Sequence, residues 1–302
     1  MVDAEWAFAR YEAIRARLPA AVFPARARRA EDLAALAEAF DVFVLDAFGV
    51  LNIGESAVPG APQRVADLVD RGKAVFVLTN GATYDESVAL EKYHRLGFAF
   101  EPRQIVSSRA LLHNALGAFP DRFRWGAAAA PQSNLDALLG DLRLLTDDRS
   151  AYEEADGFVL LSSQVWDMAR QEILIASLSD NPRPVLVGNP DLVAPRETGL
   201  TLEPGFYAHD LADRTGIDPV FFGKPYGNAF DEVRRRLAVD GGVVPPQRIA
   251  MVGDTLHTDV LGGAAAGLKT VLVADHGLFR GLDADDFIKR SGIVPDVIIP
   301  TT

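Results

Sequence analysis

Three short apolar runs, each closing on a polar residue, constrain this chain more than any other feature. Asp41-Val-Phe-Val-Leu45 closes at Asp46, Ala74-Val-Phe-Val-Leu78 at Thr79-Asn80, and Arg248-Ile-Ala-Met-Val252 at Gly253-Asp254. Strands that are apolar on both faces belong in a parallel sheet covered on both faces by helices. Helical patterns fall between them: Pro62 to Arg71 before Gly72, Asp85 to Leu96 before Gly97, Ala229 to Leu237, and His257 to Ala266 before Gly267. Gln104 to Ser107 reads as a strand followed by an apolar helix to Ala118, and Thr270 to Val273 and Pro295 to Ile299 as further strands. The alternation predicts an α/β, doubly wound parallel sheet. In such sheets ligands meet the chain just beyond the C-terminal strand ends, where Asp46, Thr79 and Asp254 fall.

A chain of 302 residues favours two domains over one. The segment 121–217 has its own rhythm, with strands at Gly157 to Leu161 and Pro184 to Val187 and a helix at Met168 to Leu178. It reads as an inserted domain, leaving 1–120 and 218–302 as two parts of one core. Hinges are expected near Phe119-Pro120 and Ile217-Asp-Pro219, and the polar stretch Asp147 to Ser150 is the nearest thing to a disordered linker.

The formal net charge of −12 argues against nucleic acid and anionic membranes as partners, because phosphate backbones require a basic patch. The absence of cysteine removes disulfides, thiolate nucleophiles and Cys-ligated zinc. No apolar stretch approaches the length of a membrane span. The first twenty residues mix charges throughout and read as an amphipathic helix rather than a secretory leader; a cytoplasmic setting is the expectation. There is no phosphate-binding loop of the Gly-x4-Gly-Lys-Ser/Thr type, and Gly262 to Gly267 reads as tight helix packing.

Four short segments carry candidate chemistry. Asp46 stands before Gly49, where the backbone turns sharply; its carboxylate suits a nucleophile or a ligand for a hard cation. Thr79-Asn80-Gly81 offers a hydroxyl and backbone N–H groups to an oxyanion. Lys224, one of only five lysines, sits between Gly223 and Pro225 and presents an ammonium to a phosphoryl group or a carboxylate. Gly253-Asp-Thr-Leu-His-Thr-Asp259 sets Asp254 and Asp259 around a helix start, a pattern suited to Mg²⁺ and the groups around it. Each segment alone has an ordinary structural explanation: a turn cap, an Asn-Gly turn, a surface lysine, an N-cap.

Their order and spacing together resemble the haloacid dehalogenase (HAD) superfamily of hydrolases. The inserted segment, with Gly188-Asn-Pro-Asp191, resembles the C2 cap of class IIA, the group of NagD-like and 4-nitrophenyl phosphatases. The resemblance implies a Rossmann-like HAD core with an inserted α/β C2 cap domain. It implies a Mg²⁺-dependent phosphohydrolase acting on a small phosphorylated metabolite through an aspartyl-phosphate at Asp46. The metal would rest on the Asp46 carboxylate, the Phe48 backbone carbonyl and Asp254, with Asp259 supporting them. Thr79 and the nearby backbone, including Gly49, Asn80 and Gly81, would hold the phosphoryl oxygens, and Lys224 would neutralise charge. Asn189, Asp191 and the loop from Glu197 to Thr201 are expected to face the cleft from the cap. Class IIA proteins often form homodimers through the cap.

The chain departs from the pattern at Phe48. The phosphatases usually place a second Asp there to protonate the leaving oxygen and then activate water, help worth ~10²–10⁴ in rate; phenylalanine exchanges no proton. Three readings stay open. The first is a phosphatase favouring good leaving groups or borrowing an acid, with His209 and Asp191 as candidates by cap position. The second is a non-catalytic or very weak phospho-ligand binder. The third is displacement of a C–halogen bond, which needs no leaving-group proton but also no Mg²⁺.

Overall fold

The computed structural model describes residues 2–196, 199–239 and 244–302. Its larger sheet has seven strands, all parallel, in the order Arg28–Arg29, Val297–Ile299, Lys269–Val273, Ile249–Gly253, Val42–Leu45, Ala74–Thr79, Ile105–Ser107. Val42–Leu45 is an interior strand, with Val44 opposite Met251 on one side and Phe76 on the other. Strand side chains alternate between faces, and both faces are apolar. Phe43 and Leu45 pack with the helix Ala61–Asp70 through Val65 and Leu68. Val42 and Val44 pack with the helix Gly227–Val239 through Ala229, Phe230 and Val233. This two-sided burial makes the apolar runs continuous rather than alternating.

The expected helix from His257 to Ala266 takes a different form. A π-helical turn, Leu256–Val260, precedes a short α-helix, Leu261–Ala265. The wider turn places Leu256 and Val260 in an apolar cluster with the N-terminal helix, while Asp259 N still bonds Thr255 O. The glycines of the short helix are packing residues: a Cβ on Gly262 would stand 2.8 Å from Pro225 Cα, and one on Gly263 2.8 Å from Met251 Cβ.

A second sheet of five parallel strands runs Val220–Phe221, Val185–Val187, Gly157–Leu160, Arg124–Ala128, Asp141–Leu144. Trp125, Tyr152 and Phe158 are buried in its cores. Asp148 within the polar 147–150 stretch is an N-cap, its carboxylate accepting from Ser150 N at 3.0 Å and starting the helix Arg149–Glu154, so that stretch is ordered. The Arg124–Ala128 strand (Arg-Trp-Gly-Ala-Ala) and the Asp141–Leu144 strand gave little sequence signal, because one is short-chained and the other is largely exposed. Two small hairpins, Asn52–Ile53 with Ser56–Ala57 and Val193–Arg196 with Gly199–Leu202, were likewise silent. Glu197 and Thr198, within the loop expected at the cleft, lie outside the described residues. Among the described residues no helix is long and apolar enough to cross a membrane.

Candidate active site

Asp46 follows the strand Val42–Leu45, its N–H bonded to Val252 O at 2.8 Å. Its Oδ1 accepts from Ala47 N at 2.7 Å and lies 2.5 Å from Lys224 Nζ. The same ammonium is 2.7 Å from Asp259 Oδ1. Asp259 Oδ2 accepts from Thr255 N at 3.0 Å, and Asp254 is held by Thr255 Oγ1 at 3.0 Å and Leu278 N at 2.8 Å. Carboxylate oxygens of Asp46, Asp254 and Asp259 all lie within 4.8 Å of one another. Close approach is built into the backbone: Gly49 sits at φ +73°, and a Cβ there would stand 2.7 Å from Asp254 Cβ.

The electrostatics reflect this crowding. Burial, and then the charge of Asp259, push Asp46 upward against the pull of Lys224. Asp254 is raised by burial and then by Asp259 and Asp46. Burial alone would lower Lys224; Asp259, Asp46 and Asp191 hold it above its ordinary value instead. Three carboxylates therefore face one ammonium in a confined space. An oxygen-only donor set with surplus negative charge fits a hard divalent cation.

Asn80 ties the segments together. Its Oδ1 accepts from Lys224 N at 2.8 Å, and its Nδ2 donates to Lys224 O at 2.9 Å and to Asp191 Oδ1 at 2.8 Å. Thr79 Oγ1 accepts from Gly81 N at 3.1 Å. Asn189 Oδ1 accepts from Asp191 N, and its Nδ2 donates to Glu203 Oε2 at 3.2 Å. A cavity of about 460 Å³ is lined by Asp46, Phe48, Thr79, Asn80, Gly81, Asn189, Asp191 and Asp254. Lys224 and Asp259 lie beneath it, each 1% exposed.

His209 does not join them. It lies in the helix Pro204–Thr215, buried and stacked on Phe221 with centroids 4.7 Å apart. Burial, reinforced by Arg17 and Arg10, pushes it down to about 3. It is absent from the cavity wall, so the structure sets this cap-side candidate for a borrowed acid away from Asp46. The helix turns its apolar face, His209 included, onto the second sheet.

Sequence reasoning missed several wall residues, among them Tyr11, Lys92, Glu203 and Thr258. Lys92 had one signal, the scarcity of lysine; the others had none. Phe48 bridges to Asn52, and Lys92 Nζ stands 5.3 Å from its ring centroid. Phe48 has no exchangeable proton of its own to offer at that backbone position.

Comparison with known proteins bears on the family of the chain. A family profile described as haloacid dehalogenase-like hydrolase matches residues 43–124, and a HAD-hydrolase-like profile matches 221–299. The chain is 30% identical to glycerol-3-phosphate phosphatase of Gallus gallus over 86% of its own length and 88% of the relative. It is 32% identical over 76% of its length to a Caenorhabditis elegans protein bearing the NipSnap name, of which it spans 47%. A HAD superfamily structure from Cytophaga hutchinsonii superposes with a TM-score of 0.80 at 26% identity, covering 91% of this chain and 98% of that one.

Proposed function

Because the chain belongs to the haloacid dehalogenase-like hydrolases, with class IIA phosphatases among its structural neighbours, we propose that it is a Mg²⁺-dependent phosphohydrolase acting on a small phosphorylated metabolite at Asp46. The observation that carries this reading is the Lys224 ammonium set between Asp46 and Asp259 beyond the end of the strand Val42–Leu45, 2.5 and 2.7 Å away, with Asp254 alongside. The body containing the five-stranded sheet serves as the cap; its edge strand Val220–Phe221 lies past the expected boundary at 217, so the inserted body runs to at least residue 221 and its second hinge follows that strand.

Asp46 Oδ1 is engaged by Ala47 N and Lys224. Oδ2 has no hydrogen bond among the described residues and is the atom free to attack phosphorus. A bond forms from that oxygen to phosphorus as the ester P–O bond breaks. The aspartyl-phosphate is then cleaved by water, which returns the carboxylate and releases phosphate. Asp46, the Phe48 carbonyl and Asp254 would hold Mg²⁺, whose charge supports the phosphoryl oxygens through transfer. Thr79, with the backbone of Gly49, Asn80 and Gly81, cradles those oxygens, and Lys224 balances the charge that gathers there. Asp259 keeps Lys224 aimed at Asp46. Asn189 and Asp191 face the leaving portion from the cap.

The departing oxygen needs a proton, and Phe48 has none to give. Of the two cap groups considered, only Asp191 lines the cavity; burial raises it to about 7, against the pull of Lys224 and Asn80, a range suited to proton exchange near neutrality. Aryl and acyl phosphates, whose leaving groups need little protonation, are the substrates expected to turn over fastest. Phe48 also favours one second reading, a phospho-ligand binder with slow turnover. The carboxylate cluster argues against C–halogen displacement, which has no use for a cation site.

The test is turnover of 4-nitrophenyl phosphate, acetyl phosphate and glycerol 3-phosphate with and without Mg²⁺. Mg²⁺-dependent turnover by wild type that vanishes in Asp46→Asn supports the reading. Undiminished turnover by Asp46→Asn overturns it. Silence from wild type with gain in Phe48→Asp favours the binder.

A further inference from the structure

The N-terminal helix Ala4–Ala13 lies outside both segments matched by the family profiles, yet it reaches the cavity. Asp3 caps it, its carboxylate accepting from Trp6 N at 2.8 Å. Toward the seven-stranded body, Phe8 meets Phe287 edge-on at 5.2 Å and Tyr11 stacks on His257 at 4.9 Å, with His257 Nε2 2.6 Å from Glu12 Oε1. Toward the other body, Arg10 and Arg17 both reach Asp213 at 2.7 Å, and Trp6 lies 5.6 Å from Phe206. The helix is pinned to both bodies, so the side chain it points between them is fixed in place.

That side chain is Tyr11, 3% exposed and part of the cavity wall. Its hydroxyl accepts from Leu192 N at 3.2 Å, one residue past Asp191. A phenol also has one hydrogen to give, and among the described residues the Tyr11 O–H has no acceptor in the protein. Burial, and then the charge of Asp191, hold this phenol well above its ordinary value, so the hydrogen stays on. A buried donor left unmade is costly, and a ligand oxygen in the cavity would satisfy it.

We propose that Tyr11 is a substrate-positioning residue whose O–H donates to an oxygen on the leaving portion of the substrate. The class it favours is phosphate esters with a hydroxyl or other oxygen beyond the ester bond. The inference rests on the reading of Asp46 as the site of phosphoryl transfer.

The experiment measures binding by calorimetry, with Mg²⁺ present, on Asp46→Asn and on Asp46→Asn/Tyr11→Phe. The probes are glycerol 3-phosphate, which carries such oxygens, and orthophosphate, which has no leaving portion. Tyr11→Phe is expected to weaken glycerol 3-phosphate about tenfold, the scale of one lost hydrogen bond, and orthophosphate less than about twofold. Equal weakening of both probes marks a purely structural role and overturns the proposal. So does no weakening, or no binding of glycerol 3-phosphate to either protein. Turnover by Asp46→Asn in the same cell overturns the Asp46 reading instead, and the ratio of affinities still judges Tyr11.

Discussion

The Lys92 ammonium lies over Phe48, 5.3 Å from its ring centroid, while donating to Glu55 Oε1 at 3.1 Å and Gly54 O at 3.2 Å. Where the resemblance to HAD phosphatases implies a carboxyl that trades protons, this chain has an aromatic face under a cation. Such a contact stabilises by about 0.5–1 kcal/mol at an exposed site.

Restoring the carboxyl should therefore help less than its chemistry alone would predict. In Phe48→Asp the nearby Lys92 ammonium favours the ionised form of the new carboxyl, so it carries a proton to give for less of the time. We expect kcat on glycerol 3-phosphate to rise about tenfold in Phe48→Asp and about a hundredfold in Phe48→Asp/Lys92→Met, within the usual range for acid–base help. Equal rates for the single and double variants would show that Lys92 has no such hold.

Asp46→Asn should abolish turnover and leave the fold intact. It should also raise Tm at pH 8 in the absence of divalent cations. Asp46 is raised in the folded protein, so the folded state binds more protons than the unfolded chain above the ordinary carboxylate range. Stability is present at low pH and lost as pH rises through the folded value. Removing one of three crowded carboxylates removes that loss. A Tm below wild type under these conditions would contradict the crowding argument.

Gly277→Ala should damage cation dependence more than folding. A Cβ at Gly277 would overlap the Asp254 carboxylate, and the neighbouring Leu278 N–H would no longer fix its Oδ2. The Mg²⁺ concentration for half-maximal activity is expected to rise at least about tenfold, since comparable disturbances around metal ligands cost 10–100-fold. An unchanged Mg²⁺ requirement would remove Asp254 from the metal site.

Acid stability should depend on two buried histidines. Burial lowers His209 to about 3 and, opposed by Glu12, lowers His257 to about 4. Both stay neutral in the folded protein, whereas the unfolded chain protonates them near 6.5. Their stabilisation is complete above about pH 6.5 and is lost toward pH 4, at up to about 1.4 kcal/mol per pH unit for each. His209 Nδ1 is buried with no hydrogen-bond partner, so His209→Phe should keep the stack on Phe221 and flatten the decline of Tm between pH 6.5 and 4. An unchanged slope would count against a neutral, buried His209.

The strand ends were legible because their signal is local. An apolar run of four to six residues, too short for a helix and bounded by turn residues, reads as a strand covered on both faces, and the polar residue that closes it falls at the sheet's C-terminal edge. That logic located Asp46, Thr79 and Asp254 without any knowledge of the rest. The Arg124–Ala128 strand was not legible: Gly126 and two alanines leave room for Leu145 and Phe158, a packing reason that exists only once those neighbours are in place. His209 shows the opposite failure, since a histidine in the right segment carries no mark of which face its helix buries.

The sequence alone therefore determined the parallel sheet and the polar residues at its C-terminal edge, because hydrophobic periodicity and strand length act over a few residues. Only the tertiary structure decided which distant groups meet there. Asn80 reaches Asp191 across 111 positions, Lys92 covers Phe48, and Tyr11 meets Leu192 across 181. Those pairs depend on how two separately packed bodies and a terminal helix come to rest on one another. That outcome is set by the sum of many side-chain fits, and no short stretch of chain records it.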